Sequence, residues 1–452
     1  MSDNKKIIKR VYYAIELELA FPLSMSNGIN METDSDLLKT RDGRVFIPGS
    51  SIAGALRSKI DPSLREKLAG FSMDNGGRMS KLYVSDLCFE KGVESVRDGV
   101  QLNPGKTVEN KFDFEVIETG AAGVLFLNYL VREEDDEAEF SKIIHSLLNG
   151  IADGQIRFGS NKNRGYGRLK VVSIRRKEFD KKNRDEYIGF VPRDVTGYGE
   201  KEEYDSWKTA HAENLDHYCN ISVPLKLTGG ISIRKYSARP NEADYMQITI
   251  GGESAADKDK LPVIPGTSWN GAIRADALDI LKELGVKNAE NYINQWFGHV
   301  HKKGLDDKSA RESAIVIGES IIEGAVPLTM TRNKINRFDA STQDGALYTE
   351  ISYFGGNTTL EIMLKKSEEY FDENATKYAR KCVDYKPVLG LLMLVARDIE
   401  NGYVAIGGQT AVGRGIFASN GTIEISEASV TEADCRKALY QYLQEVEGDA
   451  VQ

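Results

Sequence analysis

The strongest constraint on the fold is a stretch that occurs twice. From Phe46 the chain reads FIPGSSIAGALRSKI and from Val263 it reads VIPGTSWNGAIRADA, with Ile, Pro, Gly, Ser, Gly, Ala and Arg at the same offsets. Each copy turns at Pro48-Gly49 or Pro265-Gly266 and then offers Ser50 and Ser51, or Thr267 and Ser268, as N-caps of a helix. A helix start presents unpaired N–H groups and the positive end of a dipole, so it can seat a phosphate; an ordinary capped helix is the alternative. Both helices carry an interior glycine, Gly54 or Gly271, which costs about 1 kcal/mol relative to alanine. That cost predicts a close approach by another backbone or by a ligand phosphate. Arg57 and Arg274 follow Ser50 and Thr267 by seven residues, on roughly the same helix face. They are either charge-assisted phosphate contacts or ordinary exposed helix arginines.

The residues around each copy follow one programme. Residues 11–21 alternate with Val11, Tyr13, Ile15, Leu17 and Leu19 on one side and Glu16 and Glu18 on the other, the period of a half-buried strand. After the first IPG helix, residues 82–89 and 123–132 read as strands. Phe140, Ile143, Ile144, Leu147 and Leu148 then fall at helical spacing, and a glycine-rich loop leads from Ile156 into a last strand. Strand, helix, two strands, helix, strand is a ferredoxin-like α+β unit, the topology of the RNA-recognition domain. In the second half, residues 221–233 and 358–366 are strands, and Val388, Leu391, Leu392, Val395 and Ile399 mark the second amphipathic helix. Gly159, Gly165 and Gly167 recur as Gly407, Gly413 and Gly415, and Arg97 precedes Glu115 by 18 residues as Arg332 precedes Glu350. The chain is an internal duplication. Domains are expected over 1–180 and 217–452, joined by a charged linker over 181–216, with a surface helix near the C-terminus capped at Thr431.

At 452 residues, 41% of them hydrophobic, the chain can bury two or three cores. No apolar run approaches the roughly 18 residues of a membrane span, and the charged residues 1–10 do not read as a signal peptide. A cytoplasmic protein without a membrane partner is expected. Cys88, Cys219, Cys382 and Cys435 are scattered without a CxxC pair, so they are read as free, largely buried thiols. The formal charge of −9 argues against an ordinary nucleic-acid binder. Locally the balance reverses, because residues 154–177 hold eight Lys/Arg and no acid.

The glycine loops precede a strand instead of opening a helix, so they match neither the Walker nor the dinucleotide fingerprint. In the first loop Lys162, Arg164 and Arg168, interleaved with Asn161, Asn163 and Tyr166, suit a single-stranded backbone with bases stacking nearby. The second loop keeps only Arg414. Glycines needed for a tight reversal are the other reading. None of the histidines, His145, His211, His217, His299 and His301, recurs between the halves or sits beside a nucleophile. Phosphoryl chemistry would then fall to carboxylates with a divalent metal. Glu32, Asp34 and Asp36 precede the first IPG turn and Asp244 precedes the second, although loop acids are usually only solvated.

The paired IPG turns with Gly-Ala-Xaa-Arg, the late glycine loops and the ferredoxin-like order resemble the RAMP superfamily of CRISPR-associated proteins, in particular the repeating backbone subunits of type III effector complexes, here as two fused units. The resemblance implies subunits that polymerise along a CRISPR RNA, a hairpin thumb in each unit that interrupts the guide–target duplex, and a loop Asp that cuts single-stranded target RNA beside each interruption. It places the catalytic and metal-binding position at Asp34, 14 residues before Pro48, and at Asp244, 21 residues before Pro265, with Mg²⁺ or Mn²⁺ as cofactor. It places the thumbs at 97–110 and 332–344, the second the more basic through Arg332, Lys334 and Arg337. Ser50, Ser51, Arg57, Thr267, Ser268, Arg274 and the glycine-loop bases become RNA contacts, and other type III effector subunits become partners. A non-catalytic scaffold and an RNA-processing nuclease of the same superfamily are the alternatives.

Overall fold

A computed structural model describes residues 5–26, 28, 33–73, 76–102, 108–236, 243–250, 260–299, 310–343, 345–372, 377–427 and 429–449. Two compact bodies result: unit 1 is Met1–Lys162, Tyr166–His217 and Ser367–Cys382, and unit 2 is Asn163–Gly165, Tyr218–Lys366 and Val383–Gln452.

In unit 1, β1 (Ile7–Leu19) is the central strand, and it is buried from Val11 to Leu19 except at Glu16 and Glu18. It runs antiparallel to β5 (Ala122–Arg132) on one side and β6 (Leu169–Phe179) on the other, with Ile15 facing Leu125 and Ile174. β2 (Leu82–Val84) pairs with the far edge of β5. The helices α1 (Gly49–Lys59) and, beyond the short α2 (Pro62–Ala69), α3 (Glu137–Ala152) bring Ile52, Leu56, Phe140, Ile144, Leu147 and Leu148 onto one sheet face, all essentially buried. Asp136 caps α3 by accepting from the Ala138 and Glu139 amides at 2.9 and 3.2 Å. The spatial strand order β6-β1-β5-β2 is the fourth, first, third and second strands of a ferredoxin-like unit. Between β2 and β5 stands a hairpin of β3 (Glu94–Leu102) and β4 (Val108–Ile117).

Unit 2 repeats the plan. β7 (Tyr218–Leu227) lies between β11 (Asn357–Lys365) and β12 (Phe417–Ser419), with β8 (Ile315–Ile317) at the outer edge of β11. The helices α4 (Gly266–Glu283) and α5 (Lys386–Glu400) fill the core with Trp269, Ile273, Leu391, Leu392 and Ile399. Here β9 (Val326–Arg332) and β10 (Tyr348–Phe354) form the hairpin, so the described parts of both expected thumbs fall within hairpins whose strands reach beyond 97–110 and 332–344, while 103–107 and 344 lie outside the described residues. A further helix, Glu432–Asp449, starts at Thr431, whose hydroxyl accepts the Asp434 amide at 3.2 Å while Asp434 accepts back from the same hydroxyl. Among the described residues no helix is long and apolar enough to cross a membrane. Of the four free cysteines, Cys219 and Cys435 are buried, Cys88 is half-buried and Cys382 is exposed.

The 181–216 segment, expected as a linker from its charge, packs onto unit 1. Its aromatic residues decide this. Phe190 and Tyr198 lie against Tyr12, Ala14 and Phe179 on the sheet face opposite the helices, and the Tyr198 hydroxyl donates to the Pro192 carbonyl at 2.8 Å. That cover is why β1 is buried on both faces at Tyr12 and Ala14, while Glu16 and Glu18 stay paired with Lys201 and Lys170 at 2.8 and 2.6 Å. Further on, Tyr204 and Trp207 join the main core, and Asn149 donates to the carbonyls of His211 and Glu213.

Candidate functional site

The acid loop and the glycine loop of each half meet the base of the hairpin, while the IPG turn packs against the edge strand beside it. Both IPG helices start at the glycine, not at the serines or threonine: Pro48 and Pro265 are extended at the cap position and no side chain caps either helix. Ser50 and Ser51 are exposed, and Thr267 and Ser268 are half-buried, inside the first turns. The expected caps are therefore absent, because proline already fixes the entry and its carbonyl takes the Ser51, Ile52, Ser268 and Trp269 amides. In unit 1 the Gly49 N–H is answered instead by Asp86 Oδ1 at 2.7 Å.

The close approach expected at Gly54 and Gly271 falls on other glycines. Nothing lies within 4 Å of where their Cβ atoms would be. A Cβ on Gly49 would lie 3.1 Å from the Val84 carbonyl, and one on Gly266 2.5 Å from the Ile317 carbonyl. Gly54 and Gly271 thus leave an open strip of helix backbone. Arg57 is half-buried on the last turn of α1. Arg274 is not an exposed arm: it donates to the Gly298 carbonyl at 3.0 Å and to Asn294 Oδ1 at 2.6 Å, and burial depresses its pKa.

The glycine loops are superimposable in conformation. Gly159, Gly165 and Gly167 have φ of +80°, +92° and +70°, and Gly407, Gly413 and Gly415 have +92°, +82° and +70°. Asn161 and Gln409, at the matching position, are also left-handed at +53° and +58°. The glycines are conformationally required, as the tight-reversal reading expects. Lys162 and Arg164 are exposed on the loop. Arg168 is half-buried over the Phe21 ring. Tyr166, expected near stacked bases, is buried against Phe112, Phe114 and Val116, because the loop must seal the hairpin base. Arg414 occupies the same loop position in unit 2 and does the same work, lying 4.4 Å over Phe354 and donating to Met330 Sδ.

Asp34 is exposed, whereas Asp36 turns inward and accepts the Thr33 amide and hydroxyl at 2.8 and 2.9 Å. Glu32 lies outside the described residues. Asp34 and Asp113 of β4 are bound reciprocally: the Asp34 amide donates to Asp113 Oδ1 at 3.0 Å, and the Asp113 amide donates to Asp34 Oδ2 at 3.1 Å. One step along, the Leu37 amide donates to Glu115 Oε2 at 2.8 Å and the Glu115 amide to the Ser35 carbonyl at 3.0 Å. In unit 2 Asp244 is exposed and its Oδ2 accepts the Thr349 amide of β10 at 2.7 Å, while Tyr245 pairs in parallel with Glu350. The two acids stand at unequal distances from their prolines yet reach the same strand of their hairpins.

Glu350 is 1% exposed and gathers Arg332 at 3.3 Å, Arg234 at 3.9 Å and Gln409 Nε2 at 2.6 Å. Arg332 is therefore committed to a buried carboxylate, whereas Lys334 and Arg337 on the hairpin loop are exposed. The equal spacing of Arg97 and Glu115 does not reproduce that pair; Arg97 instead binds Glu118 through two nitrogens at 2.8 and 3.3 Å. Sequence reading missed Asp113, Asp86, Arg234 and Gln409. Gln409 alone had a signal, its alignment with Asn161 in the repeated loop.

No cluster of three or more metal-ligating side chains occurs among the described residues. Mg²⁺ needs no such cluster when substrate supplies oxygens, since it is commonly held by one or two carboxylates with phosphates and water. The exposed, hard-oxygen donors Asp34 and Asp244 fit that role.

These features define a duplicated ferredoxin-like protein with a hairpin, an acid loop and a left-handed glycine loop gathered at one site in each unit. The chain belongs to the RAMP superfamily, which it matches over residues 22–170 and 248–418. Membership carries a CRISPR-associated, RNA-handling context. No curated protein matches the chain.

Proposed function

We propose that this chain is a backbone subunit of a type III CRISPR effector complex, binding CRISPR RNA and cleaving complementary single-stranded target RNA with Mg²⁺ or Mn²⁺. The supporting observation is the common placement of Asp34 and Asp244: each carboxylate accepts an amide from the second strand of its hairpin, Asp113 or Thr349, despite different spacing from the IPG turn. Duplicated units that keep an exposed acid at one structural position by different local routes are using the acid at that position.

Lys162 and Arg164 on the glycine loop, and Lys334 and Arg337 on the second hairpin, contact RNA phosphates, and the open helix strips at Gly54 and Gly271 admit the backbone. Asp34 or Asp244 would hold a divalent ion, which would supply charge stabilisation at the scissile phosphate. The carboxylate orients the ribose 2′-hydroxyl and takes its proton. The 2′-oxygen forms its bond to phosphorus as the bond to the 5′-oxygen breaks, and water protonates the departing oxygen. The products are a 2′,3′-cyclic phosphate and a 5′-hydroxyl. Asp34→Ala and Asp244→Ala, singly and together, in a complex reconstituted with guide RNA, test the assignment. Each single variant is expected to remove one set of target fragments and the double variant all of them, with target binding intact. Unchanged fragments with the double variant sink it.

The scaffold reading rests on the same bonds, since a carboxylate that accepts a backbone amide already has a structural task. Intact target after addition of Mg²⁺ to the complete wild-type complex selects that reading.

A further inference from the structure

We infer that Asp113 is a positioning residue for Asp34, and that the two units hold their acids by different means; this rests on the cleavage reading above. The Asp34 main chain is held through its own N–H by Asp113 Oδ1, and its side chain is held through Oδ2 by the Asp113 N–H. Two bonds in opposite senses between the same two residues fix both the backbone and the carboxylate plane of Asp34.

The charge of Asp113 does not serve the hairpin. Directly across the strand pair stands Asp98, and like charges opposite one another destabilise an antiparallel ladder. The neighbours of Asp113 on β4, Phe112 and Phe114, carry the hairpin packing by stacking at 6.0 Å and, for Phe114, by meeting Tyr166. What Asp113 does visibly is hold the acid loop.

Unit 2 achieves the same end without a carboxylate. Asp244 runs directly into a short strand, Tyr245–Gln247, whose parallel pairing with Glu350 and Ile351 fixes the local backbone. Thr349 supplies only its amide to Asp244, and its hydroxyl is within 3.0 Å of the Thr331 hydroxyl. Residues 33–36 form no such strand and meet β4 by one main-chain bond, from the Glu115 amide to the Ser35 carbonyl, so at Asp34 itself the reciprocal carboxylate takes the place of strand pairing.

The test uses the full chain in a complex with guide RNA and end-labelled complementary target, where Asp34→Ala and Asp244→Ala identify the fragments from each unit. Asp113→Ala is expected to lower kcat for the unit 1 fragment by about tenfold to a hundredfold, the usual loss when a group that orients a reacting residue is removed. KM is expected to stay within about twofold, as is the unit 2 fragment. Asp113→Asn keeps the Oδ1 acceptor and is expected to restore the unit 1 rate to within about threefold of wild type. Loss in Asp113→Asn equal to that in Asp113→Ala overturns the inference, since the charge itself would then be acting on substrate. A fall of both fragments together in Asp113→Ala overturns it in favour of a general hairpin defect. An unaffected unit 1 fragment in Asp113→Ala, with Asp34→Ala abolishing it, overturns the positioning role alone. A unit 1 fragment that survives Asp34→Ala removes the cleavage reading and this inference with it.

Discussion

Gly413 and Gly415 lie two residues apart in one loop, and replacing each with alanine separates backbone strain from steric exclusion. Both are left-handed, at φ +82° and +70°, so either alanine carries the penalty of about 1–2 kcal/mol for an L-residue in that region. Their surroundings differ. Nothing lies within 4 Å of a Cβ on Gly413, whereas a Cβ on Gly415 would lie 1.9 Å from the Ile406 carbonyl oxygen and 2.8 Å from its carbon and nitrogen. Backbone must move by more than 1 Å to relieve such an overlap, and overpacking of this kind adds about 1–3 kcal/mol. Gly413→Ala is expected to cost about 1–2 kcal/mol and Gly415→Ala about 2–5 kcal/mol. Urea unfolding read by tryptophan fluorescence follows this well, because Trp269 and Trp296 are both buried in unit 2. Equal costs for the two variants refute the close-approach account and leave strain alone as the reason for these glycines.

Two further outcomes follow from unit 1. Trp207→Ala removes a 2% exposed aromatic that stacks on His211 at 4.6 Å and meets His145 edge-on at 5.3 Å, so unfolding is expected to require about 3–5 kcal/mol less; a loss under about 1 kcal/mol, measured by denaturation, means the 204–216 segment is not part of the core. His145 is held at a pKa of about 4, first by burial and then by His211. Its folded pKa lies below the unfolded 6.5, so the unfolded chain binds the extra proton and stability is expected to fall as pH drops from about 6.5 to about 4. Urea midpoints at pH 7 and pH 5 are expected to differ less in His145→Gln than in wild type, and an unchanged difference contradicts the burial argument.

Local and distant interactions leave different traces in the sequence. Strands and helices were legible because their cue is periodic and local: β1 announces itself by alternation, and α3 and α5 by apolar residues three and four apart. The glycine loops were legible for a related reason, since left-handed backbone selects glycine whatever surrounds it. The basic residues were not. Arg274, Arg332 and Arg414 look alike in sequence to Lys162 and Lys334, yet the first three end on Asn294, Glu350 and Phe354 inside unit 2. A side chain's charge says nothing about whether its partner is solvent, RNA or a residue brought close by the fold.

By itself the sequence determined that two ferredoxin-like units exist, where each hairpin interrupts them, and that an acid precedes each IPG turn. Tertiary structure alone decided that the charged 181–216 segment is part of unit 1, because Phe190, Tyr198 and Trp207 are spaced without period and find their partners on strands and a helix far away in sequence. It alone decided that Asp34 is paired with Asp113, 79 residues distant. Such a pair leaves no periodic trace, since hydrogen bonds between a loop and a remote strand depend on where the sheet places them and not on any spacing along the chain.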